Sequence, residues 1–208
     1  MKRGAVGYTQ PTIDSFPLIE EFHKILTATN ALPCFAWLDG MSQGEQVIES
    51  LLETHLTKGA AVINIVPDRN WNIADPERKK TKLSNLYKIV ALANDLNLPI
   101  LVGTEMNQFG QKIVDDFHAP ELEPVRESFI KGAYFLYGHT QMQRLWKMGY
   151  QSEWANQHFP DRKAKNGFFE AAGRLIPPGL FSELNKLDMH PDLKPEAVIS
   201  ELNKHKER

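Results

Sequence analysis

The chain has 208 residues, 42% apolar and 24% charged, with a formal net charge of −2; that is ordinary for a soluble globular protein of one domain, or of a domain with an appendage. Lys and Arg form no dominant block before Lys204-His205-Lys206-Glu207-Arg208, which argues against a nucleic-acid partner, because phosphate contacts need clustered cations. No apolar stretch approaches a membrane span, no signal-peptide core opens the chain, and Cys34 is the only cysteine, so the expectation is a cytoplasmic protein with no membrane partner and no intramolecular disulfide.

Residues 1–11 read as a leading loop, with a short strand at 5–8. Thr12 or Asp14 can cap a helix whose apolar face is Leu18, Ile19, Phe22, Ile25 and Leu26, with Pro17 in its first turn. A strand at 33–38 follows, and Cys34 within it is expected to be a buried, inert thiol. Ser42-Gln43-Gly44-Glu45 has the capping-box pattern, and Val47, Ile48, Leu51, Leu52 and Leu56 keep helical spacing up to Gly59. A second strand at 61–66 ends at Pro67. Residues 68–80 are polar and read as a loop, and a helix at 81–95 turns Leu83, Leu86, Ile89, Val90 and Ala93 inward. The third strand is 99–103.

Beyond Asn107 the strand pattern stops. Residues 110–116 read as loop or a short helical turn, and 120–149 as helix broken near Gly132, Gly138 and His139. A short helix carries Phe168, Phe169, Ala172 and Leu175; two more are placed at 180–186 and 195–206. The organisation is an α/β region, 1–110, followed by a mostly helical region, 111–208.

Three short apolar runs, each preceded by a helical pattern, indicate parallel strands buried on both faces. In such sheets chemistry collects beyond the carboxyl ends of the strands, which here carry Asp39, Asp68, Asn70, Glu105 and Asn107. No Walker loop, G-x-G-x-x-G, G-x-S-x-G or zinc-type Cys/His pattern is present.

The runs "ALPCFAWLDG", "KGAAVINIVPDRN" and "LNLPILVGTEMN" resemble, over residues 11–108, the closing part of the PHP (polymerase and histidinol phosphatase) family of metal-dependent phosphoesterases. Family members there show "IPVLAHP", a strand of the "GIEVYN" kind and "LPVTAGSDAH". The resemblance implies an α/β fold, a TIM-like, PHP-type βα barrel of which this chain holds only part. It also implies a divalent metal (Zn, Mn or Fe) in the intact protein and a phosphorylated small-molecule substrate. Trp37 stands where the family has a metal-binding His, Glu105 where it has an Asp, and Asn107 where it has its final His. The family's opening H-x-H motif has no counterpart, so the expectation is the C-terminal part of a longer hydrolase, with an incomplete metal site in this chain.

On that reading Asp39 and Glu105 are the catalytic and metal-binding carboxylates, and Asn107, Asn70, Trp37, Lys112 and Arg69 contact substrate. The plainer roles are turns and caps for Asp39, Asp68 and Asn70, core for Trp37, and a solvated loop for Gln111, Lys112, Asp115, Asp116 and His118. The alternative function is a non-catalytic small-ligand-binding or scaffold module derived from the same barrel, with no metal in this chain. Three or four parallel strands leave the outer edge of the first strand, 32–38, open, and it is expected to be closed by a homodimer or by residues 120–208.

Overall fold

The computed structural model describes residues 4, 6–104, 113–179 and 181–206. Three short strands, β1 (Cys34–Trp37), β2 (Val62–Ile65) and β3 (Ile100–Val102), form one parallel sheet in that order. Helix α1 (Ile19–Ala28) precedes β1, α2 (Ile48–Thr57) joins β1 to β2, and α3 (Asp68–Trp71) with α4 (Pro76–Asp95) joins β2 to β3. The helical region contributes α5 (Arg126–Trp146), α6 (Glu153–His158), α7 (Arg162–Leu175), α8 (Phe181–Leu184) and α9 (Pro195–Lys206). The chain is thus α/β with a parallel sheet in sequence order.

Register sorts the sheet residues by face. Phe35, Ile63 and Ile100 align across the sheet, as do Trp37, Ile65 and Val102. Period-two alternation puts all six on one side, where they pack with Leu52 of α2, Leu86 and Ile89 of α4, and Leu122 and Phe129. On the other side Val62 and Leu101 join a core with Phe135 and Met142 of α5, Phe169 of α7 and Leu202 of α9. That cover stops short of β1, whose Cys34 and Ala36 are exposed. Cys34 is therefore exposed as a residue rather than a core position, although burial still pushes its thiol up to about 11.

The two sheet edges differ. Pro99 O accepts from Ile63 N at 3.0 Å and Gly103 N donates to Ile65 O at 2.8 Å, so Ile100 between them turns its carbonyl outward. Helix α5 covers that edge at Gly132, where an added Cβ would lie 1.7 Å from Ile100 O. Gly138 does the same at the α5–α7 crossing, its Cβ position falling 1.9 Å from Phe169 O. Both glycines permit backbone contact, and α5 runs through them unbroken. The expected break there is absent because tertiary packing outweighs the intrinsic cost of a helical glycine, about 1 kcal/mol.

Other differences have local causes. Residues 6 and 7 form a turn and residue 8 is not in a strand, with Gly7 at φ 80°. Residues 68–80 are largely helical: Asp75 caps α4 by accepting from Arg78 N at 2.8 Å, and Pro76 sits at its first position. Helix α1 has the expected apolar spacing but buries no residue, and Leu18, Phe22 and Ile25 are exposed. Under the helical region His139 accepts a hydrogen bond from Tyr150 N at 2.9 Å. Burial pushes this imidazole down to about 4, against a smaller opposing effect from the backbone at Asn30.

Candidate functional site

The carboxyl ends of β1 and β2 converge on a group of buried polar side chains. Beyond β1 the chain turns through Leu38, Asp39 and Gly40, the last at φ 73°. Asp39 Oδ2 lies 2.8 Å from Lys82 Nζ, with the two side chains 15% and 9% exposed. Its Oδ1 accepts from Met41 N at 3.1 Å, and its carbonyl accepts from Asn85 Nδ2 at 3.1 Å. Burial alone raises the Asp39 carboxyl. Hydrogen bonds from Lys82 and Met41 N, with the charges of Lys82 and Arg69, outweigh it and hold the group below its ordinary value. Lys82 also donates to Arg69 O at 3.2 Å, tying α4 to α3.

Asn70 is the most enclosed member, at 0% exposure. Its Nδ2 donates to Leu38 O at 3.0 Å and to Val66 O at 3.1 Å, so the amide bridges the ends of β1 and β2. That leaves Oδ1 buried with no hydrogen-bond partner among the described residues. Glu45, also buried, caps the end of β1: its Oε1 accepts from Leu38 N at 2.6 Å and its Oε2 from Ser42 Oγ at 2.9 Å. The reciprocal Ser42–Glu45 bonds read from the sequence are present, and they hold the β1 turn and the short 3-10 turn Glu45–Val47 that leads into α2, which itself has no side-chain cap.

Asp115 closes the far side. It is 8% exposed and accepts from Asp68 N and from Trp71 Nε1, each at 2.7 Å. Burial raises its carboxyl; the two N–H donors lower it, the Asp68 charge raises it further, and the net shift is upward. The expected solvated loop is therefore, at Asp115, an anchored part of the sheet edge.

Of the sequence candidates, the structure brings Asp39, Arg69 and Asn70 to one edge. Trp37 lies beneath them at 1% exposure, packed in the apolar layer. It lines the floor of a recess of about 220 Å³ together with Gly40, Glu45 and Asn85, so it is a floor and not an open wall. Glu105, Asn107 and Lys112 lie outside the described residues. Sequence reading missed Lys82, Asn85 and Glu45 as site groups, and it weighed Asp115 as a carboxylate ligand but preferred a solvated loop. Lys82 carried a signal: it continues the inward spacing of Leu86, Ile89 and Ala93, and a lysine on an apolar face needs a buried partner.

The described groups do not fit a divalent metal. Asp39 is the one sequence-predicted metal ligand among them, and its carboxylate is occupied by an ammonium and a backbone N–H, so a dication there would face Lys82 directly. No group of three His, Cys, Asp or Glu side chains comes together among the described residues. What they offer is a fixed charge pair, a buried amide acceptor and a second carboxylate within a low-dielectric edge. That arrangement can hold and orient a polar molecule.

No family model, no curated protein and no solved structure matches the chain. No helix among the described residues is long and apolar enough to cross a membrane.

Proposed function

We propose that the carboxyl edge of the sheet binds a small polar molecule, and that this chain is a ligand-holding portion of a βα-barrel-type protein. The observation that carries the reading is Asn70 Oδ1, a buried acceptor with no hydrogen-bond partner among the described residues. Leaving such an atom unmet costs about 1–3 kcal/mol, and the cost falls at the strand ends where βα sheets bind their ligands. Its neighbours strengthen the case. Asp39 and Lys82 spend a charge pair at the same edge, where well-packed apolar side chains would often serve stability as well or better.

In this reading Asn70 Oδ1 accepts from a ligand hydroxyl or amino group. The resemblance to PHP proteins supports a phosphate as the acidic part of that ligand. Asp39 positions ligand and Lys82 without binding a metal.

The test is a thermal-shift series with ribose, ribose 5-phosphate and inorganic phosphate on wild type and on Asn70→Ala. The reading predicts saturable stabilisation of wild type by the sugar phosphate, approaching about 2.7 kcal/mol at one hundred times Kd, and its loss in Asn70→Ala. No stabilisation by any of the three, or an unchanged shift in Asn70→Ala, would overturn it.

A further inference from the structure

A second cavity lies at the opposite end of the sheet, where the amino end of β3 meets α4, α5 and α7. Its volume is about 560 Å³, within the usual range of small-molecule sites. Pro99, Ile100 and Phe135 form an apolar floor, and Lys131 and Lys163 stand in its walls.

A glycine marks this cavity as a site. Helices α5 and α7 hold four glycines among the described residues. Three are explained by packing, since a Cβ on Gly132, Gly138 or Gly173 would fall within 2.0 Å of a backbone oxygen. Gly167 is the exception: a Cβ there meets nothing within 4 Å, and the residue lines the cavity. A glycine inside a helix is destabilising relative to alanine, so the chain keeps an unfavourable residue at the exposed mouth of this cavity, beside the exposed Lys131 and Lys163.

The charges point to the ligand. Glu170 is the cavity's only carboxylate among the described residues, and Arg174 already neutralises it at 2.9 Å. Lys131 and Lys163 have no carboxylate partner within salt-bridge distance among the described residues. Asn94 Nδ2 donates to Ser128 Oγ at 3.0 Å, which leaves the Ser128 hydroxyl proton to donate into the cavity.

We infer that this cavity binds a small organic anion, its carboxylate or phosphate head between Lys131 and Lys163 and its apolar body over Gly167 and the floor. The site is independent of the carboxyl edge, and neither stands or falls with the other.

The experiment titrates hexanoate, hexyl phosphate and hexanol into 15N-labelled protein at fixed ionic strength. Saturable shifts at Ser128, Lys131 and Gly167 are expected with both anions, with hexanol binding at least about tenfold more weakly. Gly167→Leu places a side chain in the open volume and should weaken both anions by at least about tenfold while far-UV circular dichroism stays unchanged. The double variant Lys131→Met with Lys163→Met provides the same readout should the leucine disturb α7. No saturable shift with either anion, hexanol binding as tightly, or wild-type affinity in both the leucine and the double-lysine variants would overturn the inference.

Discussion

Replacing Lys82 by Met tests the charge pair at the carboxyl edge. At 2.8 Å, with side chains 9% and 15% exposed, the gross attraction at an effective dielectric near 20 is about 6 kcal/mol. Much of that is offset by taking both charges out of water, so the pair itself adds little net stability. Removing one partner is different, because the largely shielded Asp39 carboxylate loses its ammonium partner and Arg69 O loses a donor. Such losses run to about 3–5 kcal/mol, which in a chain of this size lowers Tm by roughly 6–20 °C. The pH response gives a second readout. In the wild type the Asp39 pKa is held below its unfolded value, so its contribution is present above the unfolded pKa and is lost as pH falls through the folded one. In Lys82→Met burial dominates and the folded pKa rises, so protonation relieves the variant and its deficit narrows on acidification from pH 7. Urea unfolding at several pH values, with Asp39→Asn completing a double-mutant cycle, measures both effects. A loss below about 1 kcal/mol at pH 7, the level of an exposed pair, or a deficit that does not narrow, would refute the reasoning.

Gly138→Ala forces a Cβ to within 1.9 Å of Phe169 O and should cost at least the roughly 1–3 kcal/mol of an overpacked core; Gly167→Ala, in open space, should gain about 0.5–1 kcal/mol. Thermal melts of the two settle the order, and the reverse order would contradict the packing described. His139, neutral and held down to about 4, makes stability fall as pH drops from about 6.5 toward 4, with a slope approaching 1.4 kcal/mol per pH unit. His139→Gln should flatten that slope in urea titrations, and an unchanged slope would assign the pH dependence to other groups. Asp115→Ala removes the acceptor of the Trp71 indole and of Asp68 N. A change in Trp71 emission, with a stability loss of about 1–3 kcal/mol, is expected, and unaltered fluorescence counts against the bond.

The sheet was legible because its signal is local. Apolar runs at 33–38, 61–66 and 99–103, each after a helical pattern, fix strand direction through the crossovers they require. The continuity of α5 was not legible, because Gly132 and Gly138 read as breakers until the strand edge and the α7 backbone they admit are known. The apolar stripe of α1 was correctly spaced, yet periodicity states which face is apolar and not whether anything covers it. At the site, Asp39, Arg69 and Asn70 were visible because they follow strands directly. Lys82 and Asp115 reach the same edge from a helix and a distant loop, and only tertiary contacts join them. Glu45 was read as a helix cap, and its bond to Leu38 N shows the cap also holding the end of β1.

Amide chemical-shift mapping with ribose 5-phosphate tests the central claim most directly. The account predicts saturable shifts concentrated at residues 38–41, 67–71 and 82–85, abolished in Asn70→Ala while the variant keeps its fold. Binding that leaves these amides unmoved, or no binding at saturating ligand, would contradict the assignment of the carboxyl edge as the site.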